Sequence, residues 1–452
     1  SYGQPILTTS GTPYEVEHLI INPGGKLVVE AGATLEICGD FKNYGTLECE
    51  DGSVVRFTGT GTQEVYGNFV GDNSIYDLEV TKASGEVFLY DNVEIRNDFE
   101  TKTSTSDFNM NGQTIFIQGD FINNNGASTF TAGTGTLEFN GTTDQNYNQG
   151  TSDAFQNNVV VNKASGDVVL VTDMNLQSGT GVLTLTSGNI VTGTFHVDVQ
   201  NSATDAVVGG SDDSYVEGNL YRALSGAAGS YNFPIGDANY YERAVVEFTS
   251  TTTIPQLQAR FDEWTSGPNT LGVNEPVCQG TYNLEAEDYG FWTINASATP
   301  TSGTYDMTLY SQGYSNSAGA LGWSIQKASS EAGPWSLDGT CVITSTAAIV
   351  QRTGMNGFSA FGVAQSSSVL PIELIDFNGK RIGRKNVLSW QTGSEINVDK
   401  YIIEKSRDGK TFEYMTETKA VGNSLDLQDY SVDDLYPYMD INYYRLMSVD
   451  FD

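Results

Sequence analysis

Histidine is almost missing from this chain: 452 residues hold two, His18 and His196. Both sit in alternating apolar stretches, far apart, with no nucleophile motif and no HExxH around them, so they read as structural or surface residues. Cysteine is nearly as scarce. The four, Cys38, Cys49, Cys278 and Cys341, form no CxxC pair and no Cys/His cluster, which argues against a zinc site. Basic residues are few as well: 22 Lys and Arg against 56 Asp and Glu give a formal net charge of −34. That balance excludes a general nucleic-acid binder, which needs clustered cations to neutralise phosphate, and disfavours docking on anionic lipid. No apolar run reaches the roughly 18 residues of a membrane-spanning helix.

What is there fits an extracellular β-protein. Only 17% of residues are charged, so the acidity is dilute and the chain is no disordered acidic tail. Its length suits roughly two to four domains with ample core. The start, Ser1-Tyr2-Gly3-Gln4-Pro5, has neither an initiator Met nor a basic-then-apolar signal segment, and reads as a processed secreted protein. Cys278 and Cys341 fall in one candidate domain. They either pair in an oxidising compartment or remain two small buried hydrophobes. Alternation places Cys49 on the inward side and Cys38 facing out.

Helical patterning is nearly absent, and alternating apolar and polar residues recur between Gly, Asn, Asp and Ser. Leu27 to Leu47 and Leu35 to Val55 are each 20 residues apart, the length of one coil of a β-solenoid. A β-sandwich of short hairpins is the alternative. Thr34-Leu35-Glu36-Ile37-Cys38-Gly39-Asp40-Phe41 returns as Thr114-Ile115-Phe116-Ile117-Gln118-Gly119-Asp120-Phe121, an offset of 80 residues. Arg56-Phe57-Thr58-Gly59 with Gln63 returns as Glu138-Phe139-Asn140-Gly141 with Gln145, and Lys82-Ala83-Ser84-Gly85 returns as Lys163-Ala164-Ser165-Gly166. Three blocks in one order indicate duplication of about four coils, and they read as repeated turns rather than two copies of a catalytic site.

The expected architecture is all-β: a solenoid over 1–190, a sandwich over 191–366 and a second sandwich over 369–452, with Gln365-Ser366-Ser367-Ser368 as a linker. Trp292, Trp323 and Trp335 are expected to fill the middle core, with an exposed sugar-stacking platform as the alternative. In the last segment, Leu435-Tyr436-Pro437 followed by Tyr443-Tyr444-Arg445-Leu446 reads as a corner where a Tyr hydroxyl bonds back to the preceding turn.

Leu370-Pro371-Ile372-Glu373-Leu374, Leu388-Ser389-Trp390-Gln391-Thr392-Gly393-Ser394-Glu395-Ile396-Asn397, Tyr401-Ile402-Ile403-Glu404-Lys405-Ser406-Arg407-Asp408-Gly409 and Asn442-Tyr443-Tyr444-Arg445-Leu446 carry a resemblance. This segment resembles the fibronectin type III-like module that precedes the sorting domain of bacterial surface proteins exported by type IX secretion. More loosely, Leu183-Thr184-Leu185-Thr186-Ser187-Gly188-Asn189-Ile190 and Phe233-Pro234-Ile235-Gly236-Asp237 resemble segments of adhesin-like proteins of that group. The resemblance implies export, engagement of the type IX machinery, and release or surface attachment. It also implies a sorting domain, cleaved away or lying beyond Asp452.

No carboxylate pair stands out for glycoside hydrolysis, and the cations offer no cluster for uronate chemistry, so neither catalytic residues nor an organic cofactor are expected. Calcium is the ion the acidic turns suit, at Asp72-Asn73, Ser211-Asp212-Asp213, Glu285-Ala286-Glu287-Asp288 and Asp433-Asp434, yet none fits a known calcium loop and no ligand is assigned. The expectation is a non-catalytic surface scaffold or adhesin whose partners are other copies of itself or cell-surface glycans and proteins. Carbohydrate binding, or a polysaccharide-degrading enzyme on a β-helix, is the alternative.

Overall fold

The computed structural model describes residues 4–10, 13–103, 107–124, 130–131, 133–150, 158–176, 179–265, 270–276, 281–286, 290–298, 303–311, 323–342, 349–366, 372–395, 398–422, 424 and 427–451. Among these the fold is all-β, with one short 3-10 turn at Gly71–Asn73 and no α-helix.

The chain first winds into a three-sided solenoid of about ten turns. The second side is an unbroken parallel sheet that starts with Tyr14–Val16, Thr34–Ile37, Val54–Phe57, Asp77–Val80, Phe99–Thr101 and Phe121–Asn123. The third side starts with Leu19–Ile21, Phe41–Asn43, Gln63–Gly67 and Glu86–Leu89. The first side holds Lys26–Val29 and Thr46–Cys49, then Val93–Ile95, Thr114–Ile117, Thr136–Phe139 and Asn158–Asn162. Between these runs the turn at Gly71–Asn73 replaces a strand, and the Asn73 side chain takes the Leu47 N–H at 2.8 Å.

Alternation explains why short strands suffice. Leu35, Val55, Leu78, Phe99, Phe121 and Tyr147 stack in one inward row, each at most 1% exposed. The rings of Phe99, Phe121 and Tyr147 lie parallel at 5.3 and 5.5 Å. Burial of one such row per side supplies the core that each thin coil lacks by itself.

Coil length is not fixed at 20. It runs from 19 residues at Val216↔Ile235 to 26 at Phe121↔Tyr147. Counting sides from Thr34–Ile37 on the second to Thr114–Ile117 on the first gives eleven steps, three full turns and two further sides. The duplication is therefore not four coils. Its second copy is rotated by one side of the prism.

Polar corners hold successive turns together. Asp40 Oδ1 accepts the N–H of Glu64 at 3.1 Å, and its repeat Asp120 Oδ1 accepts that of Asn146 at 2.7 Å. The glycine before each aspartate is required by close approach: a Cβ on Gly39 would meet the Glu17 carbonyl oxygen at 2.4 Å, and one on Gly119 the Asn97 carbonyl at the same distance.

Parallel coils continue past residue 190 to Ile235–Gly236, through Val168↔Ile190 and Val216↔Ile235. The strand Val216–Ala223 then pairs antiparallel with Gln256–Glu263, which closes this end of the stack. A sandwich follows without a break: one hydrophobic cluster runs from Ile21 to Val363 and includes Trp292 and Trp323. The segment expected as a linker is in part a strand, because Gln365 pairs with Trp323 and Ser366 with Leu284; backbone bonds of the sheet edge override its polar composition. Ser367 and Ser368 lie outside the described residues.

The last segment is a separate sandwich of two three-stranded sheets. One is ordered Ile372–Ile382, Lys385–Glu395, Gln428–Asp434, and the other Glu413–Lys419, Val398–Ser406, Tyr443–Asp450. Leu388, Trp390, Val398, Tyr401, Ile403 and Ala420 form its own core.

Candidate functional site

The chemistry-bearing residues of the duplication converge at two corners. Lys82 follows Asp77–Val80 and turns inward; its Nζ donates to Gln63 Oε1 at 2.5 Å. The Gln63 amide in turn donates to the carbonyls of Ile37 at 2.7 Å and Gly39 at 2.8 Å. The second copy repeats this arrangement. Lys163 Nζ donates to Gln145 Oε1 at 2.6 Å and to the Thr143 carbonyl at 2.8 Å, while Gln145 donates to the carbonyls of Ile117 and Gly119. Ser84 and Ser165 close the turns on the carbonyls of Thr60 and Thr142. All four Lys and Gln side chains are at most 2% exposed. Burial pushes both ammonium groups down to about 8, because desolvation disfavours the charged form.

These corners are chemically closed. Each donor is aimed at a carbonyl of the neighbouring turn, and the two copies stand at different edges of the prism, so they line no common groove. The lysine and glutamine were visible in sequence as repeated letters. Their pairing was not, since it joins residues 19 apart in one copy and 18 in the other across a turn of variable length.

The two histidines remain apart. His18 Nδ1 accepts the N–H of Asp40 at 2.9 Å, and His196 pairs with Asp173 at 2.9 Å while stacking on Tyr221 at 4.3 Å. Trp292, Trp323 and Trp335 are at most 5% exposed and fill core, which leaves none of them as a sugar platform. Outside the core, Tyr66 stacks on Tyr90 at 4.0 Å with Lys42 lying over Tyr66 at 5.1 Å. These stacked rings cover each other's faces.

The Asp433-Asp434 turn uses its carboxylates locally, and the Ser211-Asp212-Asp213 turn is closed through its backbone. Asp433 pairs with Lys385 at 2.5 Å, Asp434 accepts from Lys405 and Tyr444, and the backbone of Asp213 donates to Ser211. Glu287 and Asp288 lie outside the described residues. Among the described residues no group of three or more His, Cys, Asp and Glu is arranged to hold a metal ion. Cys38 is exposed and Cys49 buried, both free, and burial raises the Cys49 thiol to about 11. Cys341 is disulfide-bonded; Cys278 lies outside the described residues.

The expected tyrosine corner is built on a side chain. Tyr444 donates to Asp434 at 2.8 Å, just before the turn at Leu435, while Tyr436 is 81% exposed. Sequence reasoning missed Glu395. This fully buried carboxylate accepts from the hydroxyls of Thr392, Tyr401 and Tyr430 at 2.6–2.9 Å and from the N–H groups of Val421 and Gly422. Those bonds hold its acidity on the strong side despite burial. A glutamate followed by apolar Ile396 and Val398 was the signal available.

No protein-family model, no curated protein and no solved structure matches this chain.

Proposed function

We propose that this chain is a non-catalytic structural or adhesive protein, displayed on a bacterial cell surface after type IX secretion and a subunit of a surface filament. The observation that carries the reading is the rotation of the duplication by one side of the prism. A duplicated binding groove must repeat on one side, whereas a duplicated wall need not. Here the repeated polar residues close corners on different edges, so what has been multiplied is length. The separate terminal sandwich, with its own core around Trp390, supports the module expected before a sorting domain. Antibody against residues 1–190 applied to intact source cells tests the assignment. Labelling outside the outer membrane, lost on gene deletion together with attachment or filament formation, is the expected result; signal only after lysis would overturn it.

A further inference from the structure

The terminal sandwich sorts its charge between its two ends. At one end Ile372 pairs with Glu395 and Val398 with Asp450, so its first strand starts there and its last one finishes there. At the other end Ile382 pairs with Lys385, Asn386 with Asp434 and Ser406 with Tyr443. Three connections meet at this second end, 383–384, 407–412 and 435–442, and every residue of them is described. Residues 369–452 hold 10 Lys and Arg, and seven of these fall within 380–385 or 405–410. A chain with a net charge of −34 thus gathers cations at one point. The two runs are apart in sequence, and strand register brings them to the same end.

A cavity of about 440 Å³ opens here between the hairpin and the 435–442 connection. Lys380 and Arg381 line it, with Asn386, Asp440, Tyr444 and the half-buried Phe377. Both cations are exposed and neither has an ion-pair partner among the described residues, whereas Lys385 is held by Asp433 and Lys405 by Asp434. Asp440 is likewise exposed and without an ion-pair partner among the described residues. Asn386 donates its amide to Tyr444 at 2.7 Å, and Tyr444 donates on to Asp434 at 2.8 Å. That chain fixes both groups in the wall and leaves the Asn386 carbonyl oxygen to accept. The lining therefore offers two kinds of chemistry. A guanidinium fork and an ammonium match a carboxylate or sulfate. A carboxylate and an amide carbonyl accept from hydroxyls, and Asp440 opposes an ion that carries nothing but negative charge. A ligand that satisfies both is anionic and hydroxylated, and the volume is of the size that small-molecule sites have.

We propose that this cavity binds an acidic sugar residue of an extracellular polysaccharide, with the anionic group on Lys380 and Arg381 and the ring hydroxyls on Asp440 and Asn386. The site rests on the adhesive half of the reading above, to which it gives a ligand class, and it needs no filament.

Isothermal titration calorimetry of the full chain tests it with oligomers of galacturonate and mannuronate, a sulfated galactose oligomer, the neutral galactose oligomer and inorganic sulfate. An acidic oligomer should bind at least about 10-fold more tightly than the neutral one, and the carboxylated and sulfated arms tell which anion the site takes. K380A/R381A should weaken that binding about 10- to 100-fold. R384A removes an exposed cation of the same tip that does not line the cavity, and it should change binding less than about 2-fold. Circular dichroism melts check that both variants fold. No binding of any acidic oligomer, inorganic sulfate binding as tightly as the oligomers, or an equal loss in R384A, the mark of a diffuse cationic patch, would overturn the site. Such a failure leaves surface display, read by antibody labelling, standing. Binding by a chain found only inside cells would keep the site and remove that reading.

Discussion

Gln63 and Gln145 show how much a single buried amide can hold. Replacing Gln63 by Ala takes one acceptor from the Lys82 ammonium and one donor each from the carbonyls of Ile37 and Gly39, at a cost of about 2–4 kcal/mol. The paired change Lys82→Met with Gln63→Leu removes donor and acceptor together and should cost less than Gln63→Ala alone, which urea denaturation can check. The lysines also set a pH dependence. The folded chain releases these protons near 8, whereas the unfolded chain holds them to 10.5. Between those values unfolding takes up protons, so the lysines make the fold more stable as pH rises, by at most about 1.4 kcal/mol per pH unit each. The slope between pH 8 and 9.5 should flatten in K82M/K163M; an unchanged slope would refute the assignment. Glu395 gives a slope of the same sign in a lower window. Its carboxyl is held below its ordinary value, so its stabilisation is present at neutral pH and is lost as pH falls through the lowered value.

At the scale of elements, one outward row of the second side is an ion ladder. Arg56 bridges Glu36 and Glu79 at 2.6 Å each, and Lys102 bridges Glu79 and Glu100 at 2.7 and 3.3 Å. Arg56→Met leaves Glu36 and Glu79, two turns apart, with no cation between them. It should destabilise the solenoid by about 1–2 kcal/mol, less in 1 M salt, where the loss is screened. Sequence showed much of this scale: the inward rows follow from alternation, and the Gly-Asp corners from their recurrence. Coil length did not follow, because insertions at corners lengthen a turn without disturbing the inward pattern. Two extra residues per turn were enough to make three turns and two sides look like four coils. The site-like corners were hidden for the same reason, since register decides which lysine meets which glutamine.

For the whole molecule, the cores predict the order of unfolding. One cluster ties the solenoid to the middle sandwich, and a separate one holds the terminal sandwich. Calorimetry should resolve two transitions, and Glu395→Ala, at about 3–5 kcal/mol, should lower only one of them. A single transition that moves as a whole would show the two cores to be coupled. Polarity at this scale was legible only in outline. The net charge was plain, but which cations the fold pairs, as Lys385 with Asp433, follows only from strand register.

The rotated duplication also makes the molecule behave like a screw rather than a stack of plates. Excising residues 83–163 would join Lys82 to Ala164 and set the Val168–Leu170 strand upon Gln63–Gly67, the counterpart of its present neighbour Gln145–Asn148. Every seam would still meet a matching seam, although the excised length is no whole number of turns. The shortened chain should fold with a cooperative melt, and all that lies beyond the cut should point a third of a revolution away from its former heading. Length and bearing are thus geared together, and a chain that grows by this unit must complete three of them, thirty-three sides or eleven revolutions, before it faces the same way again.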